Sequence, residues 1–131
     1  IDAAGRLEDV QAEAIRAADL VLIPVQPSPY DVWALTDLVE LVQARQRVTD
    51  GSPVMGGIIT RAVQNTVLGR EIFDALEGMG LEVMDTRITQ RQVYPRSANE
   101  GQTPLELDAK STAADEIRNM VSEIRDLFGG R

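Results

Sequence analysis

Short apolar runs along the chain predict the strands of a parallel sheet. Residues 20–25 and 54–60 are almost continuously apolar, which is typical of strands buried on both faces. Residues 81–88 predict a third, weaker strand. Gly56 and Gly57 lie inside the second run, which predicts close approach of a neighbouring element there.

Amphipathic stretches separate these runs and predict helices, because their apolar residues recur every three or four positions. The predicted helices cover residues 7–18, 30–48, 66–79 and 112–128. Gly80 should end the third helix and Thr112 should cap the last one, whereas residues 89–100 are polar and predict an irregular segment with room for one short helix. Strands that alternate with helices indicate parallel pairing, so we expect one α/β domain, a mostly parallel sheet flanked by helices.

Three prolines, Pro24, Pro27 and Pro29, interrupt the chain where the first apolar run ends. Pro27 and Pro29 lack an N–H group, so the strand cannot continue, and Ser28 and Pro29 suit the start of a helix. This segment therefore predicts the carboxyl end of a strand in a βαβ unit, the edge at which ligands bind in open α/β sheets. The run is either a stiff turn or part of an interface. Tyr30 and Trp33 are expected to pack, although Tyr30 could reach an interface.

Composition narrows the chemistry. A hydrophobic fraction of 44% with 26% charged residues fits an ordinary globular domain, and the absence of cysteine and histidine excludes disulfides, zinc–cysteine sites and a histidine base. No apolar run approaches the ~20 residues of a membrane span, so we expect a cytoplasmic protein. The net charge of −8 means that DNA contact would need a local basic patch. Because Ile1 resembles the last residue of a strand, we also expect the chain to be part of a longer protein.

Asp2 is the first candidate for chemistry. It follows an apolar residue and precedes a small loop that contains Gly5, the pattern of a carboxylate that holds Mg²⁺ beside a nucleotide. The alternative is an Asp that caps the following turn, and these residues taken alone favour the cap.

Several segments together resemble the ParA family of partition ATPases, above all its small plasmid-encoded, ParF-type branch. The resemblance includes Ile1-Asp2-Ala3-Ala4-Gly5-Arg6-Leu7, the run from Ala17 to Pro29, Ile88-Thr89-Gln90-Arg91-Gln92-Val93-Tyr94, and residues 101–106 and 114–117. The segments occur in the family's order and with similar spacing, and they cover nearly the whole chain.

This resemblance implies a P-loop NTPase-like fold whose first strands precede Ile1. It also implies a protein that binds ATP and Mg²⁺, forms a nucleotide-dependent dimer, binds DNA without sequence preference and is stimulated by a ParB-type or other partner. Such proteins segregate plasmids or other cargo in the bacterial cytoplasm, associated with the nucleoid. Residues 127–131 form no basic amphipathic tail, so we do not expect membrane targeting.

The resemblance also implies roles for individual residues. Asp2 would be the catalytic and metal-binding aspartate, and Gly5 would lie in the adjacent switch loop. Thr60 and Arg61 would contact one side of the adenine, and Ile88, Thr89 and Gln90 would cover the other. The implied interface residues are Pro24, Pro27, Pro29 and Tyr30, and the implied DNA contacts are Arg87, Arg91 and Arg96. Without the family, Arg61 and these three arginines are equally explained as solvated charges.

The chain departs from the family in two respects: no glycine-rich phosphate loop with Lys-Ser/Thr occurs in these 131 residues, and the family's second Walker aspartate segment is absent too. We therefore expect ATP hydrolysis from the intact parent protein and not from this chain alone. The alternatives are a MinD-like cargo-positioning ATPase and a non-catalytic interaction module derived from the same fold. The residues encoded upstream of Ile1 would discriminate between an ATPase and the module.

Overall fold

The computed structural model describes residues 8–63 and 68–129, which form a parallel sheet flanked by helices. The described strands are β1 (Leu20–Val25), β2 (Val54–Ala62) and β3 (Glu82–Thr89), arranged in the order β1-β2-β3. Both pairings are parallel, so the predicted α/β class is confirmed. Consecutive strands lie side by side, and their carboxyl ends meet at one edge.

The helices follow the predicted alternation with corrected bounds. They are α1 (Glu8–Ala17), α2 (Pro29–Ala34), α3 (Thr36–Val48), α4 (Leu68–Gly78), α5 (Val93–Asn99), α6 (Pro104–Leu107) and α7 (Thr112–Gly129). Gly80, two residues after α4 ends at Gly78, has a φ of 89°, as the predicted helix end requires. α7 packs against β3, α4 also contacts β3, and α1 contacts α3.

The single helix predicted over residues 30–48 is wrong, because the chain forms α2 and α3 with a break at Leu35. The Thr36 hydroxyl donates to the Trp33 carbonyl at 3.0 Å, and the Leu35 N–H donates to the Val32 carbonyl at 3.2 Å. A side-chain hydroxyl that bonds a carbonyl three residues back competes with the regular helical ladder. The helix therefore ends and restarts within one turn.

The predicted start of α2 is confirmed in position: Ser28 is the cap residue with an extended backbone and Pro29 is the first helical residue, although the Ser28 side chain makes no capping hydrogen bond. Two other helix starts differ from the prediction. In α7 the cap is Ser111, not Thr112, because the Ser111 Oγ accepts from the Ala114 N–H at 3.2 Å. α6 was not predicted, although Thr103 and Glu106 form a reciprocal capping box there.

The core lies on both sides of β2, where residues 54–59 are all buried. The cluster of buried apolar residues comprises Ile15, Ile23, Val25, Val32, Val39, Val42, Met55, Ile59, Ala62, Ile72, Leu76 and Leu81. A Cβ added at Gly57 would lie 3.1 Å from the Leu81 Cδ2, so the predicted close approach at this glycine is confirmed. The absence of a side chain at Gly57 allows Leu81 to pack directly on the strand.

Candidate functional site

An open depression lies where the carboxyl ends of β2 and β3 meet, and its volume is about 1040 Å³. Its lining residues are Thr60, Arg61, Ala62, Val63, Ile88, Thr89, Gln90, Arg91, Gln92, Tyr94 and Pro95. All five residues expected at the adenine are among them, two from β2 and three from β3 and its exit. The depression is large enough for a nucleoside, because ligand pockets typically enclose ~300–1000 Å³.

A bulge shapes the β2 side of this depression. Thr60 pairs with Ile88 and Ala62 pairs with Thr89, so Arg61 is one extra residue on β2. Arg61 has a φ of 50°, a left-handed conformation that is uncommon for a residue with a side chain. The predicted strand ended at residue 60, whereas β2 continues through Arg61 to Ala62. Beyond the bulge the Gln90 N–H donates to the Ala62 carbonyl at 3.1 Å, which ties the two strand ends together.

The proline segment lies beside this edge. Thr60 connects the two regions through a long hydrogen bond of 3.5 Å from its hydroxyl to the Val25 carbonyl. Pro24 and Pro29 are exposed and Pro27 is half-buried.

An aromatic pair follows the prolines. Tyr30 is 76% exposed and Trp33 is 68% exposed, and their rings meet edge to face with centroids 5.5 Å apart. The two residues were expected to pack; they contact each other, but α2 leaves both largely exposed and buries Val32 instead.

The β3 side of the depression is held from behind by α7. The Glu116 carboxylate accepts from the Arg91 guanidinium at 2.8 Å, from the Thr89 N–H at 3.2 Å and from the Tyr94 hydroxyl at 3.3 Å. No pattern in the sequence separated Glu116 from the other acidic residues of this helix. Only its position could have identified it, since Glu116 lies in the family-like segment 114–117 and its three partners lie in the family-like segment 88–94.

The contacts change the pKa values of this cluster. Burial by itself raises the pKa of Glu116, but the hydrogen bonds from Arg91 and Thr89 outweigh it and hold the pKa below the ordinary 4.5. Burial, together with the neighbouring carboxylate, raises the pKa of Tyr94 to about 12. The hydrogen bond to Glu116 raises the pKa of Arg91. The cluster is therefore a charged pair with a neutral phenol at neutral pH.

The structure separates the three arginines expected at DNA. Arg91 and Arg96 line a second depression together with Lys110, a residue that the sequence analysis did not single out. Arg91 is already paired with Glu116, and the exposed Arg96 pairs with Glu100 at 3.2 Å. Arg87 is exposed on β3 and does not line that depression.

Asp2 and Gly5 lie outside the described residues. Within residues 8–63 and 68–129, no group of three or more acidic side chains could hold a metal ion. In the same ranges, no helix is both long and apolar enough to cross a membrane.

The parallel sheet flanked by helices, with its lining residues at the carboxyl edge, is consistent with an α/β P-loop-like fold. No protein-family model matches the chain. The chain is 30% identical over 107 residues to the maintenance of carboxysome distribution protein A of Halothiobacillus neapolitanus. The match covers 81% of this chain and 49% of the relative, so the chain spans about half the length of the curated relative it matches. This similarity supports a ParA-like family.

Proposed function

We propose that this chain forms the base-binding part of a ParA-like ATPase that positions a cargo in the bacterial cell. The observation that carries the proposal is the meeting of Thr60, Arg61, Ile88, Thr89 and Gln90 around one depression. The family-like segment 88–94 supplies Ile88, Thr89 and Gln90, the carboxyl end of β2 supplies Thr60 and Arg61, and parallel pairing brings the two groups to the same edge of the sheet. A depression bounded by an apolar side chain, hydroxyls and an amide suits a flat heterocycle with polar edges.

Residues from both β2 and β3 would contact the nucleotide. Thr60 and Arg61 would contact the nucleotide from β2, where the bulge turns Arg61 away from the regular strand direction. Ile88 would pack on the face of the base, while Thr89 and Gln90 would offer hydrogen-bonding groups to its edges. Asp2 would hold Mg²⁺, and the metal would supply charge neutralisation at the phosphates.

The proposal includes self-association and DNA binding by the full protein. The exposed aromatic pair and prolines beside the depression support a nucleotide-dependent dimer, because apolar residues at such an edge favour burial. Arg91, Arg96 and Lys110 support weak DNA contact without sequence preference, with Arg87 as a separate charge. A ParB-type or other partner would stimulate hydrolysis, and the protein would act in the cytoplasm on the nucleoid. The relative's name refers to carboxysome distribution, which supports positioning of a cargo in general; plasmid or chromosome partition is one such task.

A nucleotide titration of the protein as its gene encodes it tests this proposal. ATP with Mg²⁺ should bind the wild type, and Arg61→Ala/Gln90→Ala should weaken binding by about tenfold, which corresponds to about 1.4 kcal/mol. Arg47→Ala is the matched control, because Arg47 is exposed in the last turn of α3. This helix leads to the amino end of β2, whereas the depression lies at the carboxyl end.

Two results would reject the proposal. One is the absence of ATP binding by the wild type, which would favour the non-catalytic interaction module. The other is equal loss in the double variant and in Arg47→Ala, which would remove the depression from the nucleotide site.

A further inference from the structure

Two acidic residues of α7 contact the backbone of β3 in the same way. Glu123 accepts from the Asp85 and Thr86 N–H groups, each at 2.8 Å, and also from the Thr86 hydroxyl. Glu116 accepts from the Thr89 N–H further along the same strand. Seven residues are about two turns of a helix, so both carboxylates lie on the face of α7 that packs against β3.

The two carboxylates serve different parts of the strand. Gly57 pairs with Val83 and Ile59 with Arg87, so β3 has extra residues between these pairs, and Glu123 binds two of their N–H groups. This irregularity lies away from the depression. The three partners of Glu116 all line the depression. Glu123 therefore stabilises the strand, and Glu116 stabilises residues 89–94, which form the wall of the depression on the β3 side.

Burial makes the Glu116 contacts strong. The side chains of Glu116 and Arg91 are 14% and 28% exposed. Among the described residues, the Arg91 Nε is buried with no hydrogen-bond partner, so Glu116 supplies the interaction that fixes this guanidinium. Removal of one partner of such a pair leaves the other charge uncompensated. Arg91 would then leave its place, and the wall would lose its attachment to α7.

We propose that Glu116 is the positioning residue of the base site: it holds the segment from Thr89 to Tyr94 in the conformation that forms the β3 side of the nucleotide depression. The proposal rests on the proposed function. Glu116 would contact residues 89–94 and not the nucleotide itself. Its effect on ATP affinity would therefore act through Thr89, Arg91 and Tyr94. Preorganisation of this wall before binding removes the cost of ordering it when the ligand arrives.

The test compares Glu116→Gln with Glu123→Gln in the protein as its gene encodes it. Both changes are close in shape, and both remove one charge from a carboxylate that holds β3. Both should lower the melting temperature. At a temperature where both variants are fully folded, Glu116→Gln should bind ATP about tenfold more weakly than wild type, the loss that about 1.4 kcal/mol produces. Glu123→Gln should bind ATP with wild-type affinity.

Steady-state kinetics add a readout that loss of stability alone does not produce. A contact with the base is made equally in the ground state and the transition state, so its loss raises KM for ATP and leaves kcat unchanged. We expect that split in Glu116→Gln and unchanged values of both constants in Glu123→Gln. Hydrogen exchange should become faster over residues 89–94 in the first variant and around residues 85–86 in the second.

The outcomes separate this inference from the proposed function. Failure of the wild type to bind ATP would overturn both. ATP binding by the wild type, with equal affinities in the two variants, would overturn the positioning role alone. A fall in kcat with no change in KM would also overturn it, because the carboxylate would then act on the chemical step.

Discussion

Glu116 is the ionisable residue whose charge is most directly linked to the candidate site. Its carboxylate is charged in the folded chain, with a pKa held below 4.5, and Tyr94 beside it stays protonated until the pH reaches about 12. The pair with Arg91 therefore persists over the whole physiological range. Loss of this contact requires acid, a substitution or a competing anion.

Acid unfolding tests the charge on Glu116. A carboxyl whose folded pKa is lower than its unfolded pKa contributes stability above the unfolded value, and this contribution disappears as the pH falls through the folded value. The wild type should therefore lose stability as the pH drops below about 4.5. Urea unfolding between pH 3 and 6, with each pH chosen only to span that window, should show a shallower decline in Glu116→Gln.

A second carboxyl serves as the control for this measurement. Hydrogen bonds from the Thr103 backbone and hydroxyl lower the pKa of Glu106, so some acid sensitivity should remain in Glu116→Gln. Identical pH profiles in the wild type and Glu116→Gln would contradict the assigned charge pair.

At the scale of the elements, the sequence predicted each strand but not its irregularities. An apolar run identifies a buried strand, and β1 was predicted with its observed bounds. The bulge at Arg61 and the extra residues in β3 depend on which residues pair across strands, and a single sequence does not contain that register. The break at Leu35 had a local cause in Thr36, but a hydroxyl mid-helix can also point to solvent, so the pattern alone did not require it.

The residues of the candidate site were likewise predicted from the sequence only in part. Ile88, Thr89 and Gln90 were predicted from a family-like segment, and Thr60 and Arg61 from their place at the end of a neighbouring strand, because strand ends converge in a parallel sheet. Their roles stay predictions. Glu116 was missed because its contacts join parts of the chain far apart in sequence, and spacing along one helix does not reveal a partner on another element. Lys110 was missed because only the folded chain places it beside Arg91 and Arg96 around one depression.

The two glycines of β2 offer a matched pair of substitutions. A Cβ at Gly57 would lie 3.1 Å from the Cδ2 of the buried Leu81, which is tighter than ordinary van der Waals contact, whereas a Cβ at Gly56 would meet Leu20 and Leu22 at an ordinary 3.5 Å. Gly57→Ala should therefore destabilise the fold by about 1–3 kcal/mol through overpacking. Gly56→Ala should be neutral or stabilise it by about 0.4–1 kcal/mol, because alanine restricts the unfolded chain. Denaturant unfolding of both variants measures the difference, and equal losses would refute the close packing of Leu81 on β2.

At the scale of the whole molecule, the exposed indole of Trp33 can report self-association. Trp33 is the one tryptophan of the 131 residues and lies beside the proline segment. If ATP brings two copies together through this surface, the indole leaves water and its fluorescence should shift to shorter wavelength. The shift should increase with protein concentration, should be absent from Trp33→Phe, and should weaken in Pro27→Ala/Pro29→Ala.

Concentration dependence distinguishes association from a change within one molecule. A shift that is the same at every protein concentration would mean that nucleotide changes the surroundings of Trp33 without a second copy. In that case the prolines act as a turn, and the proposed interface lies elsewhere.

The position of α7 against β3 has a consequence for aggregation. β3 is an end strand of the described sheet, and a strand with free N–H groups at such a position can recruit a strand from another molecule. Glu123 occupies two of these N–H groups and Glu116 a third, so an incoming strand would find donors already bonded and would meet two negative charges. The carboxylates that join β3 to α7 also make this strand a poor template for amyloid-like pairing.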